Sequence, residues 1–276
     1  MKMEETRGDK KGEQIPKPKI FVFQTDNRGM SPDYPFEFIP MSIQGNQKVC
    51  ETMGWNYLFR EMKPEFYREN HPAIGKIYMI HEWLQEQYKA LWSNGDVDFE
   101  EPTFLVFLDT DAWIRDAYRL RQLINDMYGN GKYSNKKGAF SRDPYIRKNT
   151  FINSGSFILK LDASLLKMYE ELIDNIQSDT SHLHEWPWDQ YYVSQYIWEH
   201  RMDFLIFKPD ILNTGHGKIL RHNWHKTSRK LRDDLYYLCM FPIVSDENAK
   251  GVIESELDSG DFPNLSEKGY DYMDFD

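Results

Sequence analysis

Two stretches of this 276-residue chain combine residue types and spacing that could do chemistry. The first is Asp109-Thr110-Asp111, which follows the wholly apolar run Phe104-Leu105-Val106-Phe107-Leu108. Residues two apart on an extended segment point to the same side, so both carboxylates can close on one divalent cation, and a cation held there can neutralise a diphosphate. The same pair could instead only solvate a turn or cap the next helix. The second stretch is Glu185-Trp186-Pro187-Trp188-Asp189-Gln190. Indole rings pack on the C–H faces of sugars while acids bind hydroxyls, although two core tryptophans and an N-cap Asp would give the same string.

The surrounding elements must present these groups. The run at 104–108 suits a central strand covered on both faces. Ile20-Phe21-Val22-Phe23, stopped by Gln24-Thr25-Asp26-Asn27-Arg28-Gly29, predicts a buried first strand entering a loop, and 56–59 a second strand. Ile77, Ile80, Leu84, Tyr88 and Leu91 recur at helical steps over 76–91. A helix carrying Ala117, Leu120, Leu123, Ile124 and Met127 should end at Gly129-Asn130-Gly131. A strand at 151–161 is interrupted by Asn153-Ser154-Gly155. Then come a helix carrying Leu165, Leu166, Tyr169, Leu172, Ile173 and Ile176, a helix at 188–198 and a strand at 204–207. This alternation predicts an α/β fold with a mostly parallel central sheet flanked by helices. In such sheets ligands bind beyond the carboxyl ends of the strands, where Asp109 and Asp111 lie. The sequence holds no internal repeat, P-loop or GxGxxG turn.

Composition narrows the function classes. With 40% hydrophobic and 15% aromatic residues the chain can build a sizeable core. A net charge of −10 argues against a protein that grips nucleic acid by its phosphates. Cys50 and Cys239, without CxxC spacing, argue against a disulfide framework or a thiolate zinc site and read as free thiols. With no run of eighteen apolar residues and a charged N-terminus, no signal peptide or membrane span is expected and a cytoplasmic protein is. The domain should occupy 19–244, after a disordered leader at 1–18 and before an acidic extension at 245–276 that is mobile, draped on the surface or a partner-binding tail.

With these residues in view, the chain resembles GT-A glycosyltransferases with a DxD motif. In pattern it is most like the fungal and plant α-galactosyl-, α-mannosyl- and α-xylosyltransferases, whose metal motif reads like the Leu108-Asp109-Thr110-Asp111-Ala112-Trp113-Ile114 found here. The likeness runs through landmarks in order between about residues 19 and 230. It implies that Thr25, Asp26 and Asn27 lie against the nucleoside, with Asp26 accepting from base or ribose unless it is only a turn residue. It implies that Lys76, opening a helix, serves a phosphate or a paired Asp, unless it is a plain surface lysine. Asn153 and Gly155 would border the donor sugar, the amide bonding a hydroxyl and the glycine letting the ligand approach, unless the segment is simply a strand bulge. Asp189 and Gln190 would stand in the active-site floor beside the reacting carbon, with Glu185, Trp186 and Trp188 toward the acceptor. In 212–226 the likeness makes His222 the third metal ligand with Asp109 and Asp111, and Lys226 a phosphate contact. His216 and His225 are substitutes for His222, and a merely basic loop is the other reading. Trp224-His225 stand where the family commonly has a small residue, which bears on the Lys226 contact.

The resemblance therefore implies Mn2+ or Mg2+, a UDP- or GDP-linked sugar donor, and a glycan or other hydroxyl acceptor on a carbohydrate or glycoconjugate. It favours retention of configuration; inversion would call on Asp189 or Glu185 as base. The family's fungal and plant members are usually Golgi-anchored, so a soluble bacterial or viral enzyme, or a trimmed catalytic domain, would account for a chain without an anchor. Three other functions share some of these features. A sugar-nucleotide pyrophosphorylase would need a Gly-rich basic loop where QTDNRGMSP stands, and a phosphohydrolase a second His/Asp cluster. A non-catalytic carbohydrate-binding protein would explain the eight tryptophans without needing the DxD, the distant His and the Lys together.

Overall fold

The computed structural model describes residues 17–31, 33, 36–93, 99, 101–147, 150–223 and 256–257. In chain order the elements are β1 (Lys19–Asp26), α1 (Phe38–Met53), β2 (Asn56–Glu61), α2 (Gly75–Ser93), β3 (Thr103–Leu108), β4 (Ala112–Ile114), α3 (Ala117–Asp126), β5 (Gly138–Arg147), β6 (Thr150–Ile152), β7 (Ser156–Lys160), α4 (Ala163–Ser178), α5 (Asp189–Glu199), β8 (Phe204–Phe207), α6 (Pro209–Leu212) and β9 (Leu220–His222).

The apolar run of β3 is continuous because both of its faces are covered. Phe104, Val106 and Leu108 enter one core with Val49, Leu120, Ile124 and Leu212, from α1, α3 and α6. Leu105 and Phe107 point the other way, into a core with Trp83, Leu84, Met168, Leu172 and Ile197, from α2, α4 and α5. β1 divides likewise, Ile20 and Val22 to the first core and Phe23 to the second. Period-two alternation thus sorts one hydrophobic string into two cores, giving a helix–sheet–helix sandwich.

The sheet runs β2-β1-β3-β7-β5-β6, with β8 also paired to β5. β2, β1 and β3 are parallel, as the alternation of strands and helices predicts. The other half is mixed: β7 is antiparallel to both β3 and β5, β6 is antiparallel to β5, and β8 is parallel to β5. The physical reason is that no helix separates β5 from β7, and strands joined without a crossover return antiparallel.

α1 is a helix that the periodicity reading lacks. Its buried face includes Ser42, Gly45 and Asn46 among Ile39, Ile43 and Val49, so the apolar stripe is broken by polar groups. α3 ends at Asp126, with Met127 as its cap and still buried, before the expected Gly129-Asn130-Gly131 stop. Within the acidic extension, the described Glu256 and Leu257 dock on the body. Leu257 bridges to Phe207, Lys208 N–H donates to the Glu256 carbonyl (3.1 Å), and Glu256 pairs with Arg119 at 2.6 Å. Cys50 is a buried free thiol, and burial pushes it up to about 12. Among the described residues no helix is long and apolar enough to cross a membrane.

Candidate active site

β3 ends at Leu108, and the two aspartates do not continue it. Asp109 N–H donates to the Gly155 carbonyl (2.7 Å) and Ala112 N–H to the Asp109 carbonyl (2.9 Å), which closes a tight turn between β3 and β4. Strand alternation therefore does not explain why the carboxylates converge. The β4–β9 pair does: Ala112 is opposite His222, and Asn223 N–H donates to the Asp111 carbonyl at 3.0 Å. His222 Nε2 lies 3.2 Å from Asp111 Oδ1 and 3.7 Å from Asp109 Oδ2. One ligand atom from each of the three residues falls within 4.8 Å of the others.

The turn is braced from behind by the polar face of α1. Gln24 Nε2 donates to the Asp109 carbonyl (3.0 Å) and to Ser42 Oγ (3.2 Å), while Asn46 Nδ2 donates to Gln24 Oε1 (3.2 Å) and the Ala112 carbonyl (3.1 Å). Tyr57 O–H donates to Gln24 Oε1 (2.8 Å), and Ile114 N–H to Asn46 Oδ1 (3.0 Å). Buried polar groups this fully paired specify one arrangement of the backbone, which is why polar residues interrupt the apolar stripe of α1.

Lys76, near the start of α2, is buried with its ammonium 3.1 Å from Asp109 Oδ1 and 3.1 Å from Asp189 Oδ2. It is the paired-Asp alternative that the structure contains. Burial alone would lower the Lys76 pKa, but Asp109 and Asp189 outweigh it and raise it. Burial pushes Asp109 up to about 6 against the pull of Lys76 and His222. Burial also opposes charge on Asp111 and His222, yet their mutual attraction wins and lowers the one while raising the other. Two hard carboxylate oxygens and an imidazole nitrogen make a donor set that could hold a divalent cation, and such an ion would reverse the upward pressure on Asp109.

Asn153-Ser154-Gly155 is a bend between β6 and β7, and it lines the cavity. A Cβ on Gly155 would come 1.9 Å from His222 Cε1. The glycine, which lines the cavity, thus makes room for the imidazole. Asn153 is committed too: Oδ1 accepts from Gly155 N–H (2.9 Å) and lies 3.1 Å from His222 Nδ1, and Nδ2 donates to Asp143 (3.3 Å). Ser154 O–H donates to Asp189 Oδ2 (2.6 Å). Gln190 Nε2 donates to Asp143 Oδ2 (2.7 Å).

The β1 loop departs from expectation. Asp26 does not stand free for a nucleoside: Arg28 donates to Oδ1 from the backbone (2.8 Å) and from Nε (2.8 Å) and to Oδ2 from a terminal nitrogen (2.6 Å), and Thr110 O–H also donates to Oδ2. Arg28 in turn lies over the rings of Phe36 and Phe38. Thr25 and Asn27 line the cavity, and the buried Thr25 hydroxyl has no hydrogen-bond partner among the described residues.

At the opposite wall, α5 begins at Asp189 and Trp188 precedes it with φ of 51°, a left-handed backbone unusual for a bulky residue. This turn lays the Trp188 indole flat on His71, centroids 3.7 Å apart, and Trp186 lies at the rim, 39% exposed. Glu185 is exposed and does not line the cavity. His216 is exposed, so among the described histidines only His222 meets the carboxylates; His225 and Lys226 lie outside the described residues. Arg28, His71, Asp143 and Ser154 are site residues to which the sequence reading assigned no role. Together these walls enclose a cavity of about 910 Å³, room for a nucleotide-sized ligand.

No protein-family model and no curated protein matches the sequence. Among solved structures the chain is similar to a glycosyltransferase involved in the glycosylation of the major capsid of PBCV-1, at a TM-score of 0.56 and 13% identity over 79% of this chain and 99% of that one. It also aligns with the catalytic domain of Drosophila β1,4-galactosyltransferase 7, solved with xylobiose, at a TM-score of 0.37 and 11% identity over 75% of this chain and 71% of that one. The first likeness shows the fold: a mixed α/β sheet flanked by helices, as in GT-A glycosyltransferases.

Proposed function

We propose that this chain is a metal-dependent glycosyltransferase that moves a sugar from a UDP- or GDP-linked donor to a glycan or other hydroxyl acceptor, with retention, in the manner of the fungal and plant α-galactosyl-, α-mannosyl- and α-xylosyltransferases. The observation that carries the reading is the convergence of Asp109, Asp111 and His222 at the end of a central strand, inside one cavity that also holds Lys76. Those three residues would hold Mn2+ or Mg2+. When bound, the ion supplies Lewis-acid stabilisation of the charge that builds on a departing diphosphate.

The chain's own residues would do the rest. Lys76 holds Asp109 and Asp189 in fixed relation and keeps positive charge beneath the cation site. Asp189 and Gln190 would face the donor sugar from the α5 end of the cavity, fixed by Ser154 and Asp143 respectively. With Asp26 bound to Arg28, nucleoside contacts fall to Thr25, whose hydroxyl lacks a partner among the described residues, and to Asn27. The Trp186–Trp188 wall would receive the acceptor through its sugar faces.

A thermal-shift panel of UDP and GDP sugars with and without Mn2+ tests this, because a ligand that binds the folded state raises the melting temperature by mass action. The expected outcome is a shift for one nucleotide that needs Mn2+ and disappears in Asp111→Ala. Nucleotide shifts indifferent to both the metal and the substitution would sink the proposal.

A further inference from the structure

We infer that Asp143 is a positioning residue: by clamping the Asn153 amide it fixes the His222 proton on Nδ1 and leaves Nε2 facing Asp109 and Asp111. The inference rests on reading these three residues as cation ligands, and it names what orients the histidine among them.

The orientation of Asn153 is set from both ends. Its Oδ1 must be the oxygen, because a backbone donor, Gly155 N–H, points at it from 2.9 Å. Its Nδ2 must be the nitrogen, because the Asp143 carboxylate accepts from it at 3.3 Å. A flipped amide would place a donor against a donor and an oxygen against a carboxylate. His222 Nδ1 lies 3.1 Å from this oxygen, which can only accept, so Nδ1 carries a proton and donates; when the ring is neutral, Nε2, 3.2 Å from Asp111 Oδ1, is the nitrogen left without one. Asn213 Oδ1 is also 3.0 Å from Nδ1, but among the described residues Asn213 Nδ2 meets no acceptor that would hold that amide in one orientation. Of the two amides, Asn153 decides the tautomer, and Asp143 secures Asn153.

Asp143 is well built for this. It is buried on β5, and the oxygen that accepts from Asn153 also accepts from Gln190 Nε2 at 2.7 Å. One carboxylate thereby links the histidine to the α5 wall. Metal-bound imidazoles are oriented in this way by partners of their second nitrogen, and losing such partners costs about 10–100-fold in metal affinity.

The test uses the full chain. In the metal-free protein, at a pH where the imidazole is neutral, ¹⁵N NMR distinguishes a proton on Nδ1 from one on Nε2. Wild-type His222 should be in the Nδ1–H form. Asp143→Ala should show mixed tautomers and bind Mn2+, followed by titration calorimetry, about 10–100-fold more weakly. Asp143→Asn, which can offer a carbonyl oxygen to both amides, should restore the tautomer and most of the affinity. A wild-type His222 protonated on Nε2 overturns the inference without need of any variant. So does an Asp143→Ala protein with unchanged tautomer and Mn2+ affinity. If Asp143→Ala changes the tautomer while wild type binds no Mn2+, the positioning role stands and the cation reading falls.

Discussion

Two aspartate-bearing turns face the same cavity, and they handle their charge in opposite ways. At the end of β1, Asp26 is closed off: Arg28 and Thr110 occupy both of its oxygens, and the result is a locally neutral brace. At the end of β3, Asp109 and Asp111 share a histidine, and the one lysine paired with Asp109 is also claimed by Asp189. The first turn is complete without a ligand. The second gathers carboxylates faster than it gathers cations, and an added divalent ion would lower its energy. Identical residue types at neighbouring strand ends therefore serve different ends, and the partner set rather than the aspartate tells them apart.

The sharpest way to break this comparison is to remove the cation shared at the β3 end. Lys76→Met leaves the buried Asp189 and the half-buried Asp109 without their common partner, and removal of one side of a buried ion pair costs about 3–5 kcal/mol. Denaturant unfolding at neutral pH should show a loss of that size, and saturating Mn2+ should recover part of it by neutralising Asp109. A loss below about 1 kcal/mol would mean that the β3 carboxylates are no more frustrated than Asp26.

Next in size is Gly155→Ala. The new Cβ would lie 1.9 Å from the His222 ring, so either the 153–155 bend or the imidazole must move. Displacing a ligand of the set should weaken Mn2+ binding on the order of 100-fold, read by calorimetry, while the melting transition survives. Unchanged affinity would show that His222 is dispensable and that the β3 turn, like the β1 turn, works without it.

How far these differences could be read from sequence follows from how local their causes are. The β3 run was legible because continuous apolarity has a local meaning, coverage on both faces. The triad was legible in its members, but not in its geometry: a turn and the β4–β9 pair, not strand alternation, bring Asp111 to His222. α1 was hidden because Ser42 and Asn46 are buried for the sake of the Asp109–Ala112 backbone, which no helical periodicity reveals. The same holds for Gly155, whose missing side chain answers to a histidine on another strand, and for Asp143, a lone carboxylate in β5 whose meaning depends on Asn153 and Gln190. Arg28 carried one overlooked signal, a cation two residues after an aspartate in a tight loop, where a chelated ion pair costs little chain entropy.

The smallest expected effect probes the closed turn. Asp26→Asn keeps an acceptor for Arg28 and Thr110 but removes the charge, and with Arg28 partly exposed the cost should be about 1–2 kcal/mol of stability. Because the Asp26–Arg28 pair is neutral in itself, Mn2+ affinity should stay within about 2-fold of wild type; each tenfold change would need about 1.4 kcal/mol of coupling between the turns. Such coupling has two direct routes: Thr110, which lies between the two metal-facing aspartates and bonds both Asp26 and Arg28 (3.1 Å to the latter), and the attraction of Arg28 for Asp111 and Asp109. A drop of tenfold or more would mean that the brace and the cation site are one electrostatic unit, and that Asp26 shapes the DxD turn through Arg28 rather than merely standing beside it.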